Sequence, residues 1–221
     1  MYIVMERLGL AGNPITCEEV KSKTQEYRPF IEQEIGVLIK DGAVFLDLTE
    51  ETIEDEQKAG RPFGYVSARG DILLKAPSIG AQVAIFPDPE RFFVPNTGHI
   101  GLFTIPDSLV QEQIIRKDVE ALRKRTGLED LDVIIPSSAA TLTELTFRYF
   151  DRTSQEGKGV WLFGRDYGNR YGRTNHPMNK SGYEFFRVGF AGGVVVDYLV
   201  GGCGPDRIYV HVVRLIVAKK K

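Results

Sequence analysis

Two cysteines in 221 residues, Cys17 and Cys203, are too few and too far apart for a zinc pair, a CxxC redox motif or a disulfide framework. Three histidines, His99, His176 and His211, show no HxH or HxxxH spacing and no carboxylate neighbour pattern, so no metal site and no cofactor is predicted. Long hydrophobic runs are missing as well. Nothing approaches the roughly 18 uninterrupted apolar residues of a membrane span, and the opening MYIVMERLGLAGNP carries an acid where a secretory leader starts basic. A protein of the cytoplasm or another intracellular compartment, without membrane contact, is expected. The sequence also has no internal repeat and no proline- or serine-rich linker.

What remains is the composition of a globular protein, 43% hydrophobic and 26% charged, with a formal net charge of −2. A chain of this length buries roughly 70% of its unfolded surface without metals or disulfides. Its charge is unevenly spread. Residues 1–60 hold about 13 acids against about 6 bases, and residues 61–221 about 17 against about 22. Such polarity steers an anionic partner toward the later part, or docks one copy's front on another's back. Ala59-Gly60-Arg61-Pro62 is the one plausible boundary, separating an acidic, mainly helical segment (1–60) from a β-rich body (61–221) within one compact unit.

Local patterns place the elements. Thr16-Cys17-Glu18-Glu19 has capping-box spacing and predicts a helix from Cys17. Pro29 suits a first helical position, and Ile31, Ile35, Leu38 and Ile39 share one face up to the stop at Asp41-Gly42. A strand is expected over Ala43–Leu48 and a solvated acidic helix over Glu50–Glu56. Arg69-Gly70 and Pro87-Asp88-Pro89-Glu90 read as turns of two hairpins, with strands at 65–68, 71–74, 82–86 and 91–94, and a further strand at 100–105. Ser108-Leu109-Val110-Gln111 opens a central helix that runs over 109–126 to a left-handed stop at Gly127. Strands are predicted at 131–135, 160–163, 183–190, 194–200 and 207–217. Over 141–150 the leucines recur at helical spacing, while Thr, Phe and Tyr favour a strand, which is the assignment made. The expected class is α+β, with about ten short strands in a dominant antiparallel sheet or barrel.

The segment with most chemical character is Lys158–Arg187, read as a long surface loop. It sets Arg165, Arg170, Arg173, Lys180 and Arg187 among Trp161, Tyr167, Tyr171 and Tyr183, with glycines at 164, 168, 172 and 182. Guanidinium groups fork onto phosphate or carboxylate oxygens, and aromatic faces stack bases. The same residue types are enriched at protein interfaces. Arg165, Arg170, Arg173, Lys180, Tyr167 and Tyr171 are therefore candidates for contact with nucleic acid or a phosphorylated ligand, or with a protein partner. No RNP1 pattern, KH clamp or Walker loop accompanies them.

Two residues carry a weaker catalytic alternative, a hydrolase or transferase. Cys203 sits between Gly202 and Gly204 on a tight turn, where backbone N–H groups lower a thiol's pKa, and His176 in Asn175-His176-Pro177 would serve as a base. Ser137-Ser138 lacks the GxSxG elbow of a serine nucleophile. Glu144-Leu145-Thr146-Phe147-Arg148-Tyr149 resembles the ELTFDY segment of SET-domain methyltransferases, and Asn175–Asn179 is similar to their asparagine–histidine motif. The two occur here in reversed order and Arg148 replaces the acid, so the chain is not assigned to that family. The expectation is a non-enzymatic binding or assembly protein, self-associating or complex-forming through residues 158–187, with nucleic-acid binding as the alternative.

Overall fold

The computed structural model describes residues 24–67, 71–94, 107–168, 170–177, 184–200 and 210–221. The predicted helix at Cys17, the strand at 100–105, His99 and the turn residues Arg69-Gly70 lie outside them. So do Lys180 and Cys203.

Two five-stranded sheets and a buried helix form the architecture, an α+β fold in which neither sheet closes into a barrel among the described residues. The first sheet contains β1 (Tyr27–Arg28), β2 (Val44–Asp47), β4 (Gln82–Ile85), β5 (Leu131–Ile134) and β10 (Leu215–Lys219). All its pairings are antiparallel, and β10 joins β1, β4 and β5. The second runs in the order β3 (Phe63–Val66), β8 (Val194–Val200), β7 (Glu184–Phe190), β6 (Tyr171–Pro177), β9 (Val210–Val212). Its two outer pairs, β3 with β8 and β6 with β9, are parallel.

The two sheets bury differently. In β10, Leu215 and Val217 face one hydrophobic cluster while Ile216 and Ala218 face another, so the strand is apolar on both sides. Helices α1 (Glu32–Lys40) and α5 (Asp107–Thr126) cover one face of the first sheet through Leu38, Ile115, Val119 and Leu122. Helix α6 (Ala139–Gln155) fills the space between its other face and Val188, Val194 and Val196 of the second sheet. The second sheet's remaining face, carrying Tyr171, Arg187, Val195 and Asp197, is half-exposed.

Chain passage from β9 to β10 is fixed at Val213-Arg214. Val213 bridges Phe93, and the Arg214 guanidinium donates to Asp118 Oδ2 (2.7 Å) and to the carbonyls of Glu90, Arg91 and Phe93. The predicted strand at 207–217 is thus broken into two, one for each sheet.

Several expectations are corrected. The 141–150 stretch is helical, within α6. Ser138 caps it by accepting from Thr141 N, and Thr146 and Thr153 return their hydroxyls to the carbonyls of Leu142 and Tyr149. Burial of nearly every face outweighs the strand preference of Thr, Phe and Tyr, a tertiary effect that local propensity does not carry. Residues 71–75 form helix α3 (Asp71–Lys75), and β3 pairs with β8 in place of a hairpin. Asp88-Pro89 starts helix α4 (Pro89–Phe92), because Asp88 accepts from the N–H groups of Glu90 and Arg91 and Pro89 needs no donor there. Helix α1 begins after Ile31, where Glu34 reaches back to Ile31 N (2.9 Å), and not at Pro29. Residues 160–163 form no strand. Phe163 adopts a left-handed conformation (φ 66°) at a cost of about 1–2 kcal/mol, which burying its ring against Phe92 and Phe93 offsets. The central helix was placed well: α5 ends at Thr126, and Gly127 (φ 70°) is its left-handed stop.

Candidate functional site

Helix α2 (Ile53–Lys58) is where acidity and burial conflict. Thr52 caps it, accepting from Asp55 N while Asp55 reaches back to Thr52 N and Oγ1. That geometry turns Ile53 and Glu56 inward, three residues apart on one face. The expected solvated helix is therefore solvated on one side only, and Glu56 is 4% exposed.

Glu56 meets α6 at Glu144, whose side chain is fully buried in its turn. Glu144 Oε1 accepts from Thr49 N (2.8 Å), Thr49 Oγ1 (2.9 Å) and the Nε and Nη2 of Arg148 (3.2 and 3.1 Å). Its Oε2 is buried without a hydrogen bond, as are Glu56 Oε1 and the hydroxyls of Ser78 and Thr143. Ser78 Oγ is near enough to favour the Glu144 anion, yet outside hydrogen-bonding geometry. The cation nearest Glu56 is Arg61, Nε to Oε2 at 3.3 Å. Arg61 directs its better contacts to Asp151, 2.7 and 3.0 Å from its two terminal nitrogens, and lies over the Phe147 ring.

The electrostatic result follows. Burial is the largest cause pushing the Glu56 carboxyl up to about 7, with the charges of Glu51 and Glu144 adding to it and Arg61 opposing. Burial also raises Glu144, against the donors from Thr49 and Arg148. This junction can hold a proton near neutrality, shielded from water. Among the described residues, no group of three or more His, Cys, Asp or Glu is arranged to hold a metal ion.

Neither glutamate was singled out from sequence, although both leave signals. Glu144 is the sole charged residue between Asp132 and Arg148. Glu56 lies one helical turn after Ile53, behind a Thr-x-x-Asp cap.

The predicted contact segment is divided between core and surface. Leu162, Phe163 and Tyr167 are buried, and the Tyr167 hydroxyl donates to the Pro87 carbonyl (2.9 Å). Burial raises the Tyr167 pKa strongly. Trp161 is sandwiched between Phe150 (3.8 Å) and Phe190 (4.8 Å), so both its faces are occupied internally. Arg165 is exposed on a short 3-10 turn, Arg165–Tyr167, which Gly168 closes at φ 67°. Arg170 lies over the Phe93 ring and 3.7 Å from Glu90.

From Tyr171 the supposed loop is strand β6, inside the second sheet. A Cβ on Gly172 would come within 2.8 Å of the Phe163 ring, so glycine is required for that ring to pack. Tyr171 lies across Gly189 of β7, and the Arg187 guanidinium sits 4.6 Å from the Tyr171 ring centre. Arg187 also contacts Asp197 at 3.3 Å, while its Nε is buried without a hydrogen bond. Arg173 and His176 belong to β6 by their backbone, with Arg173 opposite Arg187 in the register. His211 is buried, its ring 5.3 Å from that of Phe93.

Comparison with protein-family models, with curated proteins and with solved structures finds no match for this chain.

Proposed function

We propose that this is a binding or assembly protein whose contact surface is the face of the second sheet turned away from α6, centred on Tyr171, Arg173 and Arg187. The observation that carries this reading is the arginine row. Arg173 and Arg187 are backbone partners on adjacent strands, and the Arg187 guanidinium lies over the Tyr171 ring. Asp197 pairs with Arg187 at 3.3 Å and through one nitrogen only, which leaves a guanidinium able to take a second carboxylate. Tyr171 beneath it offers flat apolar area at small entropic cost, as interface tyrosines do.

The partner this face fits best is another protein surface bearing carboxylates, and the acid-rich first 60 residues of a second copy supply one. Nucleic acid is the weaker reading, because Arg187 and Arg170 already face Asp197 and Glu90 and fewer unpaired charges release fewer counterions. Sedimentation over a concentration series tests the choice. Mass should rise with concentration in the wild type and fall back to the monomer in Arg187→Glu. A monomer at every concentration excludes self-association. Oligonucleotide binding that weakens steeply with salt would favour the nucleic-acid reading instead.

A further inference from the structure

Helix α2 leads through Ala59–Pro62 into β3, the edge strand of the second sheet. The strap is held by backbone bonds to β8 and by Phe63, whose ring meets Phe147 of α6 edge-on. Arg61 N donates to the Glu56 carbonyl, Val194 N to the Pro62 carbonyl and Ser67 N to Val196. The Arg61 side chain bridges Glu56 to Asp151 on α6. At the centre is Glu56, with one oxygen 3.3 Å from Arg61 and the other buried without a partner, close to Glu51 and Glu144. An orphaned, water-shielded carboxylate oxygen is a strong proton acceptor, because as an anion it bears an uncompensated desolvation cost. Protonated, it can donate to the neighbouring Glu51 carboxylate.

We propose that Glu56 is a proton-dependent latch: protonated, it holds α2 and the start of β3 against α6, and ionised, it repels Glu51 and Glu144 and loosens that strap. The charged groups around it are Glu51 before the helix, Glu54, Asp55 and Lys58 on it, Arg61 after it, Glu144, Arg148 and Asp151 on α6, and Lys75 on α3. Arg61, 3.3 Å from Glu56 Oε2, and Arg148, which contacts both Glu144 and Glu51, reduce the repulsion without reaching Glu56 Oε1, which is buried without a hydrogen bond. Glu56 is raised to about 7, with burial as the first cause, which sets the latch to release as pH rises through neutrality. The latch operates whether or not the sheet face binds a partner.

Hydrogen–deuterium exchange of the full chain at pH 5.5, 7 and 8.5, corrected for base-catalysed chemical exchange, is the test. In the wild type, protection of amides 53–66 should fall about tenfold or more across that range relative to α5, following the ionised fraction of one group. In Glu56→Gln it should stay flat. Wild-type protection that does not change, or a fall of equal size in Glu56→Gln, overturns the latch. Should Glu56→Gln not fold, carboxyl carbon-13 titration of the wild type decides. A Glu56 midpoint above about 6 that moves with amides 53–66 upholds the latch, and a midpoint in the ordinary glutamate range near 4.3 overturns it.

Discussion

The α2–α6 junction and the outer face of the second sheet hold similar chemistry in opposite surroundings. At the junction, two glutamates are shut away from water with two of their four oxygens unpartnered. On the sheet face, the Arg187 and Asp197 side chains are 17% and 25% exposed and face each other at 3.3 Å. Water screens the second pair and is excluded from the first. Charge at the junction therefore acts on stability and its pH dependence, whereas charge on the sheet face is available for recognition with little effect on the fold.

Substitutions can break or sharpen this contrast. The largest effect belongs to Glu144→Ala, which strips four donors of their acceptor beside a cavity and leaves Arg148 only its 3.6 Å contact with Glu51. A loss of about 3–5 kcal/mol in urea unfolding is expected. A loss below about 1 kcal/mol would mean that the junction is wet.

Glu56→Gln should act the other way and depend on pH. The folded carboxyl titrates near 7 and the unfolded one near 4.3, so between those values the native state keeps a proton that the unfolded chain has released. The Glu56 contribution to stability is thus largest below about 4.3, declines as pH rises toward 7, and levels off above it. The glutamine variant should lack that decline and exceed the wild type at pH 8 by about 1–3 kcal/mol. Parallel denaturation curves at pH 5.5 and 8 would remove the distinction between the two regions.

On the sheet face the effects are smaller. Gly189→Ala places a Cβ against the Tyr171 ring, which must shift, so about 1 kcal/mol of stability should be lost together with the stacking on Arg187. A sharper loss of self-association than of stability, read by sedimentation, would mark the face as a contact surface. Asp197→Asn, which keeps the shape and an acceptor oxygen for Arg187, should cost about 1 kcal/mol. Arg165→Ala, at an exposed site, should leave the unfolding free energy within about 0.5 kcal/mol of wild type.

Part of this was legible in the residues themselves. Helix α5 was placed from a capping box, a helical apolar period and Gly127, each a local cause acting within one or two turns. Strands β4, β5, β7 and β8 were legible for the same reason, from runs of β-branched and aromatic residues bounded by turns. Helix α6 carries Leu142, Leu145 and Tyr149 at helical spacing, and the strand preference of its Thr, Phe and Tyr residues, which burial against both sheets overrides, pointed the other way. The β3–β8 pairing spans more than a hundred residues and leaves no local trace beside the misleading Arg69-Gly70 turn. The arginine and tyrosine pattern at 165–187 was visible, but not its division into a buried tyrosine, a sandwiched tryptophan and a strand inside a sheet.

The sequence alone determined the α+β class, the extent and stop of α5 and the charge polarity, because each of these is decided by neighbours along the chain. Tertiary structure decided which charges meet water. Glu56 and Glu144 are ordinary glutamates in the sequence and become proton-holding groups only when α2 closes on α6, since desolvation depends on what packs around a carboxylate from distant parts of the chain. Arg187 likewise gains its ring and its counterion from β6 and β8, by strand pairing whose register no local pattern specifies.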